Sequence, residues 1–214
     1  MANTTPINVD EFLHNGQAKK VVNWYVTLGA DDSCLQNIPD NLRYYGQSVD
    51  NLAALINHTF NIEKEYNTRH YVGALVGWFL LLAVGNFTRY LTGSFLVSIL
   101  AMLLLIISPR PFGQVFGNLK DIPFALGYIW ATFGIVKFVK ELPLPSFKTT
   151  FFLASGIAFA NSVRIGGSLL FFTLGLFVFL WFVLNRKNFA LKNELIGNRK
   201  HYFFNFGHIK LLDF

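Results

Sequence analysis

The sequence predicts an all-α integral membrane protein. Two helical hairpins, made of four short apolar helices, flank a central interfacial or membrane helix and follow a short helical N-terminal region. Three observations carry this. The chain is 53% hydrophobic and only 14% charged, against about 25% charged residues in a typical soluble domain. The apolar residues are clustered: residues 1–70 read as ordinary polar protein, whereas residues 71–184 hold long uncharged stretches. Finally, two similar polar interruptions break the apolar region, "GNFTRYLTGSFL" at 85–96 and "ANSVRIGGSLLF" at 160–171. In each, an asparagine precedes an arginine by three positions and Gly-Ser follows.

The N-terminal region, 1–70, divides into short helices and turns. Phe12, Leu13, Val21, Val22, Trp24 and Tyr25 give a loosely amphipathic pattern interrupted at Gly16, and Pro39-Asp40 marks a turn. Ser48 is placed as the N-cap of a second helix, in which Leu52, Leu55, Ile56 and Phe60 share one face. That stripe is expected to pack against the spans, because helices hide their apolar face. Lying on the membrane and binding a partner are the alternatives.

The membrane domain, 71–184, follows as a hairpin at 71–108, a central apolar helix at 122–139 and a hairpin at 149–184. A straight helix needs about 20 residues to cross the hydrocarbon core. Several pieces, such as 71–85 and 149–163, are shorter, which favours hairpins that dip in and return. Asn86 and Arg89 are assigned to the first turn, Asn161 and Arg164 to the second. Counting Lys and Arg by segment places both termini and the centre in the cytosol, with both turns on the other side or part-way in. The central helix is then expected to lie shallow, starting near Asp121 and Pro123 and ending near Lys137 and Lys140.

The tail, 185–214, mixes basic and aromatic residues. Arg186, Lys187, Arg199 and Lys200, together with Lys137, are candidate lipid-headgroup contacts. The formal charge of +6 is read as membrane-facing, and no nucleic-acid partner is expected. Cys34 is the single cysteine, so no intramolecular disulfide forms. The start, "MANTTPINVDEFL", lacks the basic and apolar regions of a cleavable signal peptide. Asn3, Asn57 and Asn86 fit the glycosylation acceptor pattern, and a cytosolic N-terminus would leave the first two unmodified.

No catalytic constellation is legible. His14, His58, His70, His201 and His208 show no metal-ligand spacing, and there is no phosphate loop or nucleophile elbow. The expectation is therefore a non-enzymatic protein with no catalytic residues, no cofactor and no metal. Arg89, Lys137 and Arg164 lie near helix ends, where snorkelling explains them. Ser94, Thr92 and Ser168 are read as helix-packing hydrogen bonders.

The stretch "NSVRIGGSLLFFTLGLFVFLWFVLNRKNFALKNEL" resembles the second hairpin of the prenylated Rab acceptor family and the basic run after it, carried by Arg186, Lys187, Asn188, Lys192 and Asn193. "NLRYY" at 41–45 is similar to the stretch before that family's first hairpin. The resemblance implies a protein of the endoplasmic reticulum and Golgi that binds lipidated small GTPases or other membrane proteins. The function expected is thus a trafficking adaptor or membrane-shaping factor of the early secretory pathway, acting in the bilayer alone or as a homo- or hetero-oligomer. The alternative is an accessory structural subunit of a large organellar complex, such as one of the mitochondrial inner membrane. A small two-repeat transporter is the third reading.

Overall fold

The computed structural model is all-helical and describes residues 7, 9–36, 38, 42 and 45–196, with side chains to residue 185. Among the described residues, eight α-helices run in order: α1 (Val9–Val26), α2 (Ser48–Phe60), α3 (Glu65–Thr92), α4 (Phe95–Ile107), α5 (Pro109–Gln114), α6 (Asp121–Glu141), α7 (Phe147–Val163) and α8 (Leu169–Ile196). A 3-10 turn, Ile165–Ser168, links the last two. The chain forms two compact units, Met1–Leu174 and Gly175–Phe214. In the second, the described residues continue α8, with Leu176, Phe177, Phe179 and Leu180 exposed.

Among the described residues, three segments are long and apolar enough to cross a membrane: Glu65–Thr92, Asp121–Glu141 and Ile165–Asn185. α4 is apolar but shorter, with 13 residues, or about 20 Å at 1.5 Å per residue.

The first expected turn is corrected. Asn86 and Arg89 do not turn the chain; they lie inside α3, a continuous helix of 28 residues. The polar side chains of this stretch are accommodated because they fold back on their own helix. Asn86 Nδ2 donates to the Leu82 carbonyl at 2.8 Å, and Thr92 Oγ1 donates to the Thr88 carbonyl at 2.9 Å. Gly93 makes the actual turn: at φ 69° it adopts the left-handed conformation of a helix C-cap and donates its N–H to the Arg89 carbonyl. Ser94 then caps α4 by accepting from the Val97 N–H.

The second turn is nearer its expected place. Asn161 still belongs to α7, donating to the Ile157 carbonyl at 2.9 Å, while Arg164 is the C-cap and the 3-10 turn follows it.

α4 doubles back along α3: Ser98 Oγ donates to the Gly85 carbonyl at 2.7 Å, and a Cβ at Gly85 would stand 2.5 Å from Met102 Sδ. The segment before α6 packs near the start of α3, where Gly73 and Gly77 leave room for Val115. α6 therefore runs parallel to α3. α7 returns antiparallel along α6 on a ladder of small residues. Cβ atoms at Gly127, Gly134 and Gly156 would meet backbone of Ala160, Leu153 and Ala131 at 2.7–2.9 Å, the close approach that small residues permit between apolar helices. Around this seam Ala131, Ile135, Leu153, Ile157, Ala160 and Leu170 form a buried cluster.

The central helix, expected to be interfacial or membrane-crossing, is α6, which is long and apolar enough to cross a membrane. It is also the packing hub, buried against α7 on one side and against Leu80 of α3 on another.

α1 and α2 form a cap over one end of the bundle, the end where α3 and α6 begin and α7 finishes. Val49 and Ala53 of α2 pack with Leu119 and Val163. Tyr45 pairs with Arg164 in an antiparallel bridge, and the Gly46 N–H donates to the Val163 carbonyl at 3.2 Å. Gly46 is needed there, since a Cβ would collide with the Ser162 carbonyl oxygen.

Candidate functional site

The cap is joined to the bundle by buried charge. α1 turns Glu11, His14, Asn15, Ala18 and Val22 inward, while Val9, Phe12 and Tyr25 stay exposed. This reverses the usual inside and outside of an amphipathic helix, and its cause is the polar groups that α1 meets. Arg69, in the first turns of α3, is 1% exposed. Its Nη2 donates to Asp50 Oδ1 of α2 at 2.6 Å, and its Nε stands 3.8 Å from Glu11 Oε1. His70 Nε2 lies 2.9 Å from Glu11 Oε1, and His14 Nδ1 lies 3.5 Å from Asp50 Oδ2. One guanidinium is thus shared by two carboxylates, with an imidazole beside each. A polar cavity of about 30 Å³, room for a single water-sized group, opens among Glu11, His14, Asp50 and Arg69.

A ring of half-exposed contacts surrounds this junction. Lys19 Nζ and Asn15 Nδ2 meet Glu65 at 2.6 and 3.0 Å, and Lys120 Nζ meets Asp10 at 3.1 Å. Arg164 Nη1 binds Asp121 Oδ1 at 2.8 Å, with its guanidinium over the Tyr45 ring. Arg164 is therefore a clasp between the α7 C-terminus, the α6 N-terminus and the cap.

The sequence reading missed this convergence. Its five residues come from three helices, so no local spacing exposes them. One signal was available: Glu11 and His14 stand three apart on a helix, hence on one face, and that face is not the apolar one. Among the described residues, no group of three or more His, Cys, Asp or Glu side chains is arranged to hold a metal ion.

The other expected site residues lie elsewhere. Arg89 and Lys137 sit at the far end of the bundle from Arg164, where α3 and α6 finish. The expectation that the two arginines share one side is corrected: α3 continues past residue 86 for its full length, which separates them. At this far end Lys137 does not reach outward. Its Nζ lies 4.3 Å from the Phe133 ring centroid and 5.1 Å from that of Phe152. Arg89, Asn86, Tyr90 and Lys137 line one end of a groove of about 1030 Å³ between α3, α6 and α7. Arg186 and Lys187 fall in α8, where only the backbone is described, and Arg199 and Lys200 lie outside the described residues.

The apolar stripe of α2 is also placed differently from expectation. Leu52, Leu55 and Phe60 are 50%, 46% and 72% exposed. The face turned inward carries Val49, Asp50, Ala53, Ala54 and Asn57 instead. Its small residues let α2 lie close to α1 and α3, and Asp50 brings the charge that Arg69 requires.

No protein-family model, curated protein or solved structure matches this chain.

Proposed function

We propose that the protein is a non-enzymatic, multi-pass membrane adaptor that presents the α2 stripe to a partner at the membrane surface. One observation carries this: Leu52, Leu55 and Phe60 are exposed on a helix outside the candidate spans, and a buried ionic junction holds that helix in place. An apolar stripe of this kind calls for a partner or a lipid surface. The partner class we propose is a lipidated small GTPase or another membrane protein, and the compartment is the early secretory pathway. Partner class and compartment follow the family resemblance of the C-terminal stretch.

The test uses the full chain in nanodiscs and a geranylgeranylated small GTPase beside its unprenylated form. Preferential binding of the prenylated form, lost in the L52S/L55S/F60S variant, is the expected result. Equal binding of both forms, or a preference untouched by the variant, contradicts the proposal. Recovery of the native protein only within a megadalton-scale organellar particle would favour the accessory-subunit reading instead.

The junction favours a second reading. Two carboxylates, an imidazole and a guanidinium around a cavity are the groups that acid–base chemistry at a membrane surface uses. Under that reading Asp50→Asn abolishes turnover of a membrane-borne substrate while the folded fraction persists. Under the adaptor reading Asp50→Asn changes stability alone.

A further inference from the structure

The far end of the bundle carries a second feature that partner binding at α2 does not use. The groove between α3, α6 and α7 is apolar along Phe79, Leu82, Trp130, Phe152 and Phe159, and cationic at one end through Arg89 and Lys137. Its volume, about 1030 Å³, is at the upper end of the usual range for ligand sites.

Arg89 and Lys137 at its mouth, and Lys140 beside it, form no close ion pair, and Glu141 acts on Lys137 only through space. Among the described residues, neither Arg89, Lys137 nor Lys140 makes an ion pair within 4 Å. Glu141, the nearby acid, is engaged otherwise: it accepts from Thr149 Oγ1 at 2.6 Å and from the Ser146 N–H at 2.8 Å. The three cations rest on aromatic faces. Arg89 lies over Phe95, Lys140 over Tyr90, and Lys137 over Phe133 and Phe152. Cation–π contact holds a charge at the edge of an apolar site without neutralising it. A cation near membrane depth is costly unless it pairs or reaches water. Lys137 is turned toward the groove wall, so the missing anion belongs in the groove.

We infer that this groove binds one anionic phospholipid, its phosphate between Arg89 and Lys137 and its acyl chains against Phe79, Leu82, Trp130 and Phe159. A transmembrane helix of another protein would cover the apolar walls but would leave the two charges unpaired. A zwitterionic phospholipid would bring its phosphate together with its own ammonium group, leaving the net positive charge of the mouth uncompensated. The inference does not depend on the α2 reading, because the groove and the stripe lie at opposite ends of α3.

Trp130 lines the groove and reports its occupant. The full chain carrying W24F, W78F and W181F retains Trp130 as its sole tryptophan and is reconstituted into phosphatidylcholine vesicles. A few mole per cent of the lipid is either phosphatidic acid or phosphatidylcholine brominated on its acyl chains. The expected result is several-fold stronger, saturable quenching by the brominated phosphatidic acid, equalised in the R89Q/K137Q variant. Equal quenching by both lipids in the parent protein would overturn the inference, because bulk lipid then fills the groove. Absence of quenching by either would overturn it as well, because the groove is then closed or covered by protein. Both outcomes are read in the parent, so the inference stays testable if the double variant folds poorly.

Discussion

Arg69 is the residue on which the cap depends. A buried guanidinium between Asp50 and Glu11 satisfies charges that could not otherwise leave water. Removing it leaves two buried carboxylates without the guanidinium they share. Arg69→Leu is therefore expected to destabilise the cap by about 3–5 kcal/mol, the usual cost of breaking a buried pair from one side. Limited proteolysis at the α1–α2 connection and thermal unfolding in detergent would read the loss. An unchanged melting temperature would show that the ion network is incidental. Gly93 offers a milder case. Nothing lies within 4 Å of a Cβ placed there, so Gly93→Ala meets only the backbone cost of the left-handed conformation, about 1–2 kcal/mol. A loss well beyond that would mean that a contact, and not the conformation, selects glycine here.

Among the elements, the helices whose ends carry local signals were legible. The Asp121-Pro123 start and Lys137–Lys140 end of the central helix match α6 within two residues, whereas Ser48, expected as the N-cap of α2, is its first helical residue behind the N-cap Gln47, and its hydroxyl accepts from Ser162 Oγ at 2.9 Å. The break after Val163 was also legible from Arg164 and the two glycines that follow. The first turn was misplaced because Asn86 and Arg89 look like turn residues amid apolar sequence. In a helix, however, the Asn86 side chain can hydrogen-bond the carbonyl four residues back. The faces of α1 and α2 were illegible for a different reason. Periodicity assumes that apolar residues point inward, whereas Arg69 and His70 lie far along the chain and draw Glu11, His14 and Asp50 inward. The α6–α7 seam makes its own prediction. Backbone lies under 3 Å from a Cβ at Gly156, so Gly156→Val should force the helices apart and cost about 1–3 kcal/mol. Thermal unfolding in detergent would read the loss, and an unchanged melting temperature would place the seam elsewhere.

At the level of the molecule, α3 sets the arrangement. Its first turns anchor the cap and its last turns supply the cationic mouth of the groove, about 30 Å away for the roughly 20 positions from Arg69 to Arg89. The two halves of the opening similarity, Asn86–Arg89 and Asn161–Arg164, thus serve different ends. Arg164 clasps the cap to Asp121 and Tyr45, while Arg89 faces the groove. Sequence similarity suggested two equivalent turns; the length of α3 makes them inequivalent. Partner binding at α2 and lipid binding in the groove are accordingly expected to be separable. The L52S/L55S/F60S variant should keep its lipid preference, and R89Q/K137Q should keep its prenylated partner.

The separation of the two ends is tested most directly by labelling from each side of the membrane. In a Cys34→Ala background, single cysteines replace the exposed residues His58, Thr92, Leu144 and Ile165, and sealed vesicles of either orientation meet an impermeant maleimide. His58 and Ile165 should label from one face, and Thr92 and Leu144 from the other. Labelling of Thr92 and Ile165 from the same face would contradict the fold, restoring two equivalent hairpin turns.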